Sequence, residues 1–251
     1  MRRKVIFGLT GVAVAAAVTA AVVTVSGGDA AQQPGSGKGV VLAEAKDRMP
    51  SQTASDWVTY ADHVVTVTAV SEEKIPPAAS EIERGEGLIG RKVRLKVDRT
   101  LWSRPGAAKP APEAWTDEAS GWAFHGNRDN SKKFATEDRP RIEVGHSYII
   151  AIAWQGARCS PGDTPEPAHW VGLGEGSVVP YDNNTVGEGE MEGRKVSAPQ
   201  PLTADGTVPP TAKLEDAMAG KTADDLAAAI KAAKPEDKKT AHGLARSQDC
   251  T

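Results

Sequence analysis

Apolar residues alternate with polar residues through the middle of the chain. Two segments, 62–70 and 92–101, show this period of two most clearly. Their apolar positions are Val65, Val67, Ala69, Val93, Leu95 and Val97. Such alternation is typical of β-strands that turn one face to the core and the other to water. If the alternation continued, the side chain of Arg99 would point into the core. We therefore expect a bulge at Arg99, or the end of the buried part of the strand.

A third segment, 148–154, is apolar on both phases, which predicts a central strand covered on both sides. Shorter strands are expected at 121–125, 169–173 and 177–181, each bounded by Gly, Pro or charged residues. The connections 103–120 and 126–141 are rich in Pro, Asp, Lys and Ala. We expect both connections to form irregular, mobile excursions.

The period becomes helical in the last fifty residues. Thr222 and Asp225 are spaced as in a capping box, and Leu226 and Ile230 then begin an apolar stripe. A shorter helix is expected at 211–219. The two would form a small helical hairpin that packs on the β domain, or else a lightly ordered tail, since the stripe is narrow.

The N-terminus carries an uncharged apolar run after three cations. Arg2, Arg3 and Lys4 precede the 21 residues from Val5 to Val25. As a helix this run would be about 31 Å long, which matches a hydrocarbon core of roughly 30 Å. An uncleaved membrane anchor, a secretory signal removed after Ala30 and a buried core helix all remain open.

The cations before the run place the N-terminus in the cytoplasm and the rest of the chain outside. The lipid bilayer is therefore the first expected partner, with secretion as the alternative. We divide the chain into a signal anchor or signal peptide at 1–31 and a glycine-rich flexible linker at 32–54. A β-barrel-like ectodomain at 55–198 and a Pro/Ala-rich segment with short helices at 199–251 follow.

Composition narrows the function classes. The 30 Lys and Arg against 33 Asp and Glu leave a net charge of −3, which argues against a nucleic-acid partner.

Residues 85–90 fit the letters of a dinucleotide-binding fingerprint. They precede a predicted strand, however, whereas the fingerprint follows a strand and begins a helix. We therefore expect no cofactor.

The two cysteines are Cys159 and Cys250. In the oxidising space outside the membrane, we expect them to form a disulfide that fastens the C-terminal tail beside the central strand. Two unpaired thiols are the alternative.

An acidic run follows the last predicted strand. Asp182 precedes Glu188, Glu190 and Glu192, and these three glutamates would share one face of a strand. They form either a solvated edge that discourages sheet pairing or, with Asp182, a weak calcium site.

Tryptophan makes up half of the aromatic residues. Trp115 and Trp122 flank an expected excursion, where an exposed indole could stack on a sugar or dock a peptide. Burial in the core is the alternative for both.

Catalysis would need carboxylates to converge with His125, His146 or His169, and we name no catalytic residue.

The segments Ala61–Val67, Val93–Val97 and Val144–Ile150 resemble the strand order of the OB-type barrels of netrins and metalloprotease inhibitors. That resemblance implies an OB-like fold. Those inhibitors use an N-terminal cysteine, and no cysteine stands near Asp62, so inhibition is not implied. The whole chain also resembles uncharacterised membrane-anchored or secreted envelope proteins of high-GC Gram-positive bacteria.

The sequence therefore predicts a mainly β fold, an OB-like barrel or small β-sandwich, with an N-terminal membrane helix and a small C-terminal helical hairpin. The expected function is that of a non-catalytic binding module of the cell envelope, with a cell-wall glycan, a peptide or an envelope protein as its ligand. The alternative is an envelope hydrolase that draws its carboxylates and histidines from separate strands.

Overall fold

The computed structural model describes residues 39–44, 49–159, 165–193, 208 and 211–238. Its eight strands are β1 Val40–Ala43, β2 His63–Ile75, β3 Glu86–Ser103, β4 Ala114–His125, β5 Lys132–Thr136, β6 Ser147–Gln155, β7 His169–Gly172 and β8 Val178–Pro180. Its four α-helices are α1 Ala54–Tyr60, α2 Ala79–Arg84, α3 Leu214–Met218 and α4 Ala223–Ala232. The prediction of a mainly β fold is confirmed.

All eight strands belong to one sheet. Its order is β1-β5-β4-β3-β2-β6-β7. Strand β8 lies on the same edge of β6 as β7, where β7 pairs with the last residues of β6 and β8 pairs with the first ones. Every pairing is antiparallel except that of β1 with β5. Because the order runs from one terminal strand to another, the described sheet is open.

The alternation in β2 and β3 arises as predicted. Val65, Val67 and Ala69 are fully buried on one face of β2, and Val93 and Leu95 are fully buried on the same face of the sheet. The register places a bulge where the alternation fails. Thr66 pairs with Arg99 but Val67 pairs with Val97, so Asp98 is the extra residue. The predicted bulge is therefore confirmed, one residue earlier than Arg99.

Strand β6 is buried on both faces, as its uninterrupted apolar run predicts, and it separates two cores. Ile149 and Ala151 belong to a helix-side core, in which Trp57, Val64, Leu214, Leu226 and Ile230 are also buried. Tyr148, Ile150 and Ile152 belong to an inner core, together with Val65, Val67, Leu95, Trp115 and Trp170. The sheet thus has helices on one face and curls around its own side chains on the other.

The C-terminal helices pack on the sheet. The Thr222 hydroxyl accepts from the Asp225 N–H and so caps α4, and the capping box is complete. Leu226 and Ile230 lie in the helix-side core with no exposed surface. Of the two alternatives for this segment, residues 211–233 form the packed hairpin.

Three sequence expectations need correction. The connection 103–120 is not one excursion, because β3 extends to Ser103 and β4 begins at Ala114, where its polar residues pair with β3. The connection 126–141 likewise contains β5. Val40–Ala43, assigned to the linker, form the edge strand β1 because their backbone pairs with β5. The expected strand 121–125 lies within β4, and β7 and β8 lie within the expected strands 169–173 and 177–181.

The apolar run from Val5 to Val25 lies outside the described residues, as does Cys250. Within the described part of the chain, no helix has the length and hydropathy needed to cross a bilayer. The predicted membrane segment and the predicted disulfide therefore stay predictions.

Candidate functional site

A polar cleft of about 350 Å³ opens on the helix-side face of the sheet, beside the ends of β2 and β6. Six side chains line it, and all of them carry a hydrogen-bonding group. They are Thr66, Asp98, Ser147, Tyr181, Asn183 and Asn184. We call this the polar cleft. It is bounded by β2, the bulge in β3, the start of β6 and the 3₁₀ turn Asp182–Asn184.

The bulge in β3 positions the one carboxylate of the cleft. As the extra residue of the bulge, Asp98 has no partner in the register of β2 and β3. Its carboxylate accepts from the Thr68 hydroxyl at 2.6 Å and from the Lys96 ammonium at 3.2 Å. The carboxylate is therefore held in place beside the Ser147 hydroxyl, which lies 3.5 Å from Thr68 Oγ1.

The turn that supplies the two amides has an uncommon backbone. Asn183 and Asn184 both lie in the left-handed region, at φ of 51° and 58°. Asparagine tolerates this region better than most residues, yet the conformation costs roughly 1 kcal/mol or more per residue. Two such residues in succession persist only because the surrounding structure holds them.

Asp182 anchors this turn to the start of β6. One of its oxygens accepts from the Ser147 N–H at 2.8 Å, and the other lies 2.5 Å from His146 Nδ1. The His146 side chain is 40% exposed and that of Asp182 22% exposed. The pair therefore stands at the rim of the polar cleft and fixes the segment that carries the amides.

The structure distinguishes between the alternatives for the two tryptophans. Trp115 is 6% exposed and belongs to the inner core, so it offers no open face to a ligand. Trp122 is half-buried, with Lys74 Nζ 4.2 Å and Arg141 Cζ 4.9 Å from its ring centre. Both indoles are drawn inward because β4 pairs with β3 instead of forming an excursion. Neither is an exposed platform for a sugar.

The acidic run does not form the expected strand face. Gly187 and Gly189 have φ of 80° and 130°, so the chain turns between the glutamates. Among the residues that the structure describes, no three His, Cys, Asp or Glu side chains converge to hold a metal ion. Asp182, Glu188, Glu190 and Glu192 therefore do not converge in the described structure as the calcium alternative requires.

The carboxylates of this run bind other parts of the protein instead. Glu190 is buried and accepts from the Arg141 N–H at 2.9 Å, the Ile142 N–H at 3.0 Å and the Tyr148 hydroxyl at 3.0 Å. Glu192 pairs with Lys133 at 2.6 Å. That hydrogen bond raises the pKa of the Lys133 ammonium, an effect that partial burial opposes.

Two buried arginines complete the network. Arg91 has no exposed surface and donates to Glu72 at 2.7 Å, to the Ile142 carbonyl at 2.9 Å and to the Ser120 carbonyl at 3.0 Å. Arg141 binds Glu143 and the carbonyls of Gly121 and Phe134. Burial alone would raise the pKa of the Glu143 carboxyl, but the Arg141 guanidinium reverses this effect and the pKa is lowered.

Sequence reasoning missed this network, although it contained one usable signal. Arg91 occupies the same inward phase as Val93 and Leu95, so the alternation of β3 alone places a charged side chain in the core. Its partners come from β2, β4 and the loop before β6, which no local pattern connects. The network joins separate segments of the fold to one another.

The three candidate histidines do not converge. His125 lies 3.5 Å from Glu86, His146 pairs with Asp182, and His169 lies 3.5 Å from Glu166. His146 precedes the first residue of β6, whereas His169 pairs with Gln155, the last residue of that strand. The two are therefore about 30 Å apart along β6. The described residues do not assemble the shared pocket that the envelope hydrolase requires.

Comparison with known proteins adds no assignment. No protein-family model matches this chain, and no curated protein matches it either. The polar cleft, with its carboxylate, hydroxyls and amides, is therefore the feature of the described structure from which a function is inferred.

Proposed function

We propose that this protein is a non-catalytic binding module of the cell envelope, tethered to the membrane or secreted, that takes a hydroxyl-rich wall glycan in the polar cleft. The observation that carries the proposal is the cleft itself, about 350 Å³ with six polar side chains around it. Support for a location at or outside the membrane comes from the uncharged run from Val5 to Val25, which follows three cations.

The chemistry of the lining favours a ligand rich in hydroxyl groups. A sugar hydroxyl can donate and accept at once, and the cleft offers both kinds of partner. Asp98 accepts, the Asn184 amide donates and accepts, and the hydroxyls of Ser147 and Tyr181 do either. The Asn183 amide donates to Glu188 at 3.2 Å and keeps its carbonyl and a second N–H for a ligand. Tyr181 also provides an aromatic side chain beside these polar groups.

The cleft is organised before a ligand arrives. Asp98 is held by Thr68 and Lys96, and the left-handed turn is held by Asp182. Groups fixed in this way lose little conformational freedom on binding, which improves affinity. Backbone strain gathers at functional sites, and here both strained asparagines line the cleft.

For the fold, we propose an OB-like barrel or a small β-sandwich as the finer class. Support comes from the antiparallel meander β2-β3-β4 and from the return of β6 to pair with β2. The OB-fold is a partly open barrel whose strand faces and loops bind oligosaccharides. A cleft built from a strand bulge and a turn beside β6 fits that mode of binding.

The test is titration calorimetry of the full-length protein in detergent with soluble oligosaccharides from digested cell wall. The double variant Asn183→Gly with Asn184→Gly keeps the left-handed backbone accessible and removes both amides. We expect its affinity to fall at least tenfold. Asn130→Gly changes an exposed asparagine outside the cleft and should bind as the wild type does.

Two outcomes would overturn the proposal. One is the absence of heat with any wall oligosaccharide, which would favour a structural tether or a protein partner. The other is equal binding by the cleft variant and the Asn130→Gly control, which would place the glycan elsewhere on the surface.

A further inference from the structure

The start of β2 and the end of β3 bring a histidine and a serine together. His63 and Ser103 are directly opposite each other in the antiparallel register. The side chains of such a pair leave the same face of the sheet, with Cβ atoms about 4.5–5.5 Å apart. This is the inner face, because the His63 ring lies 5.3 Å from the ring of Trp170 in the inner core. The polar cleft lies on the other, helix-side face.

The contacts of the imidazole assign a role to each of its nitrogens. His63 Nε2 lies 2.8 Å from the Lys109 carbonyl oxygen, and Nδ1 lies 2.8 Å from Ser103 Oγ. Because a carbonyl oxygen only accepts, Nε2 carries the proton. In the neutral ring Nδ1 is then unprotonated and accepts from the Ser103 hydroxyl. His63 is thus oriented as a base toward the serine.

The serine is open to reagents, whereas its base is enclosed. Ser103 is exposed, and His63 is only 3% exposed. A nucleophile in hydrogen-bond contact with a base, which a third group orients in turn, is the arrangement of an activated nucleophile. The Lys109 carbonyl is the third group here. It fixes the tautomer of His63 and stabilises the imidazolium that forms when the serine proton moves to Nδ1.

The backbone beside Ser103 restricts the acyl donors that can react. Serine hydrolases stabilise the oxyanion of the tetrahedral intermediate with backbone N–H groups. The N–H that follows the serine, that of Arg104, instead donates to the Asp62 carbonyl at 2.8 Å. Since this donor is already engaged, the reaction depends on a good leaving group, and an activated ester fits better than an amide or an alkyl ester.

We propose that Ser103 is a site of covalent acylation, which accepts one acyl group from an activated ester. Ser103 Oγ bonds to the carbonyl carbon of the donor while its proton passes to His63 Nδ1. The bond between that carbon and the leaving oxygen then breaks, and the leaving group takes the proton from Nδ1. The products are a serine ester and an alcohol or phenol.

The serine ester persists because His63 is enclosed. Hydrolysis would need a water molecule at Nδ1, and the burial of the ring denies it that position. The chain is therefore modified once and does not turn over. Because the pair and the polar cleft lie on opposite faces of the sheet, failure of either proposal leaves the other standing.

The experiment treats the full-length protein in detergent with p-nitrophenyl acetate. Peptide mass spectrometry locates the acetyl group, and absorbance measures the released p-nitrophenolate. We expect acetylation of Ser103 and release of one equivalent for this residue. An aryl fluorophosphonate, which labels base-activated serines, should label Ser103 in the folded protein and not after unfolding in urea.

The variants test each partner of the pair. Ser103→Ala should lose the equivalent, whereas Ser120→Ala, which changes an exposed serine on β4, should react as the wild type does. His63→Gln should slow acetylation of Ser103 at least about a hundredfold, with thermal unfolding as the check that it is folded. The comparison of folded with unfolded wild type tests the same point without a variant at the buried histidine.

Three results would overturn the proposal. The first is folded wild type in which neither reagent modifies Ser103. The second is modification of Ser103 at the same rate in folded His63→Gln, or in the urea-unfolded wild type. The third is release of p-nitrophenolate that requires Ser103 and continues well beyond one equivalent, which would indicate a hydrolase in place of a stable ester.

Discussion

At the scale of single residues, buried charged groups stabilise a backbone that would otherwise be strained. Ile142 has φ of 61°, a conformation that β-branched residues rarely adopt. Its N–H is bound by Glu190, its carbonyl by Arg91, and its side chain is buried in the inner core. The residue keeps this unfavourable conformation because three separate interactions hold it in place.

Glu190→Gln should therefore destabilise the fold strongly. The amide keeps the size of the carboxylate, but it weakens the hydrogen bonds from Arg141, Ile142 and Tyr148. We expect a loss of about 2–4 kcal/mol in the free energy of unfolding, measured with urea. The exposed Glu188→Gln should change it by less than about 0.5 kcal/mol. Equal effects of the two variants would contradict the role of Glu190.

Asp117 makes stability depend on pH in an unusual direction. Because its pKa rises from 3.8 to about 6, the folded protein binds this proton more tightly than the unfolded chain does. Its contribution to stability is therefore most favourable below about pH 4 and is lost as the pH rises to about 6. The full loss is at most about 3 kcal/mol.

Asp117→Asn should remove that dependence. Relative to the wild type, the variant should gain free energy of unfolding as the pH increases from 4.5 to 7.5, in urea titrations at each pH. Glu118→Gln, changed at the next position, serves as the control and should follow the wild-type curve closely. A constant difference between Asp117→Asn and the wild type across this range would show that the carboxyl is freely hydrated.

At the scale of elements, bulges decide how the strands bend. Strand β4 shifts register between its pairings with Ile89 and Gly90, so Gly121 is the extra residue there. A Cβ at Gly121 would overlap the Ile89 carbonyl oxygen. The close approach of two backbones therefore requires glycine, and the bend turns Trp122 toward Lys74 and Arg141.

Gly121→Ala should cost about 2–3 kcal/mol, because the backbone must shift to admit the methyl group. Gly156 provides a matched control, since an added Cβ there meets no atom within 4 Å and its φ is not left-handed. Gly156→Ala should leave stability unchanged or raise it by up to about 1 kcal/mol. Thermal unfolding of both variants measures the difference, and similar melting temperatures would disprove the close approach.

The C-terminal helix α4 should unfold together with the sheet. Leu226 is fully buried in the helix-side core, so Leu226→Ala should cost about 2–5 kcal/mol of global stability. Lys231→Ala, on the exposed side of the same helix, should change stability by less than about 0.5 kcal/mol. Urea unfolding followed by both circular dichroism and tryptophan fluorescence tests this prediction. A helix that melts separately from the sheet would refute it.

At the scale of the whole molecule, export and crosslinking remain linked predictions. If the run from Val5 to Val25 delivers the chain across a membrane, Cys159 and Cys250 reach an oxidising space. A bridge between them would close a loop of about 90 residues and stabilise the fold by roughly 4 kcal/mol in the chain-entropy description. It would tie the C-terminal end of the chain to the segment that follows β6.

We therefore expect full-length protein from the membrane or culture fraction to contain one disulfide. Mass spectrometry under non-reducing conditions, with alkylation of free thiols, measures this directly. Cys250→Ser is the control for the pairing, because it should leave Cys159 open to alkylation. Recovery of the native chain from the cytosol with both thiols alkylated would remove both the export and the disulfide predictions.

Features that depend only on neighbouring residues can be derived from the sequence alone. The alternation in β2 and β3, the two-sided burial of β6 and the Thr222 capping box are local patterns, and each is present in the fold. Local patterns also located the bulge to within one residue of Asp98. These features depend on the periodicity of a strand or a helix, which is visible in any short window of sequence.

Which polar residues come into contact depends instead on the three-dimensional fold. Asp182 and Glu190 lie in one acidic run, yet one anchors the rim of the polar cleft and the other is buried beneath Ile142. Trp115 belongs to a segment that reads as a loop, and it is buried because β4 pairs along β3. Hydrogen-bond partners in these contacts are 35 to 50 residues apart in the sequence. Strand order and the curvature of the sheet bring them together, and a local pattern of apolar and polar residues does not predict either.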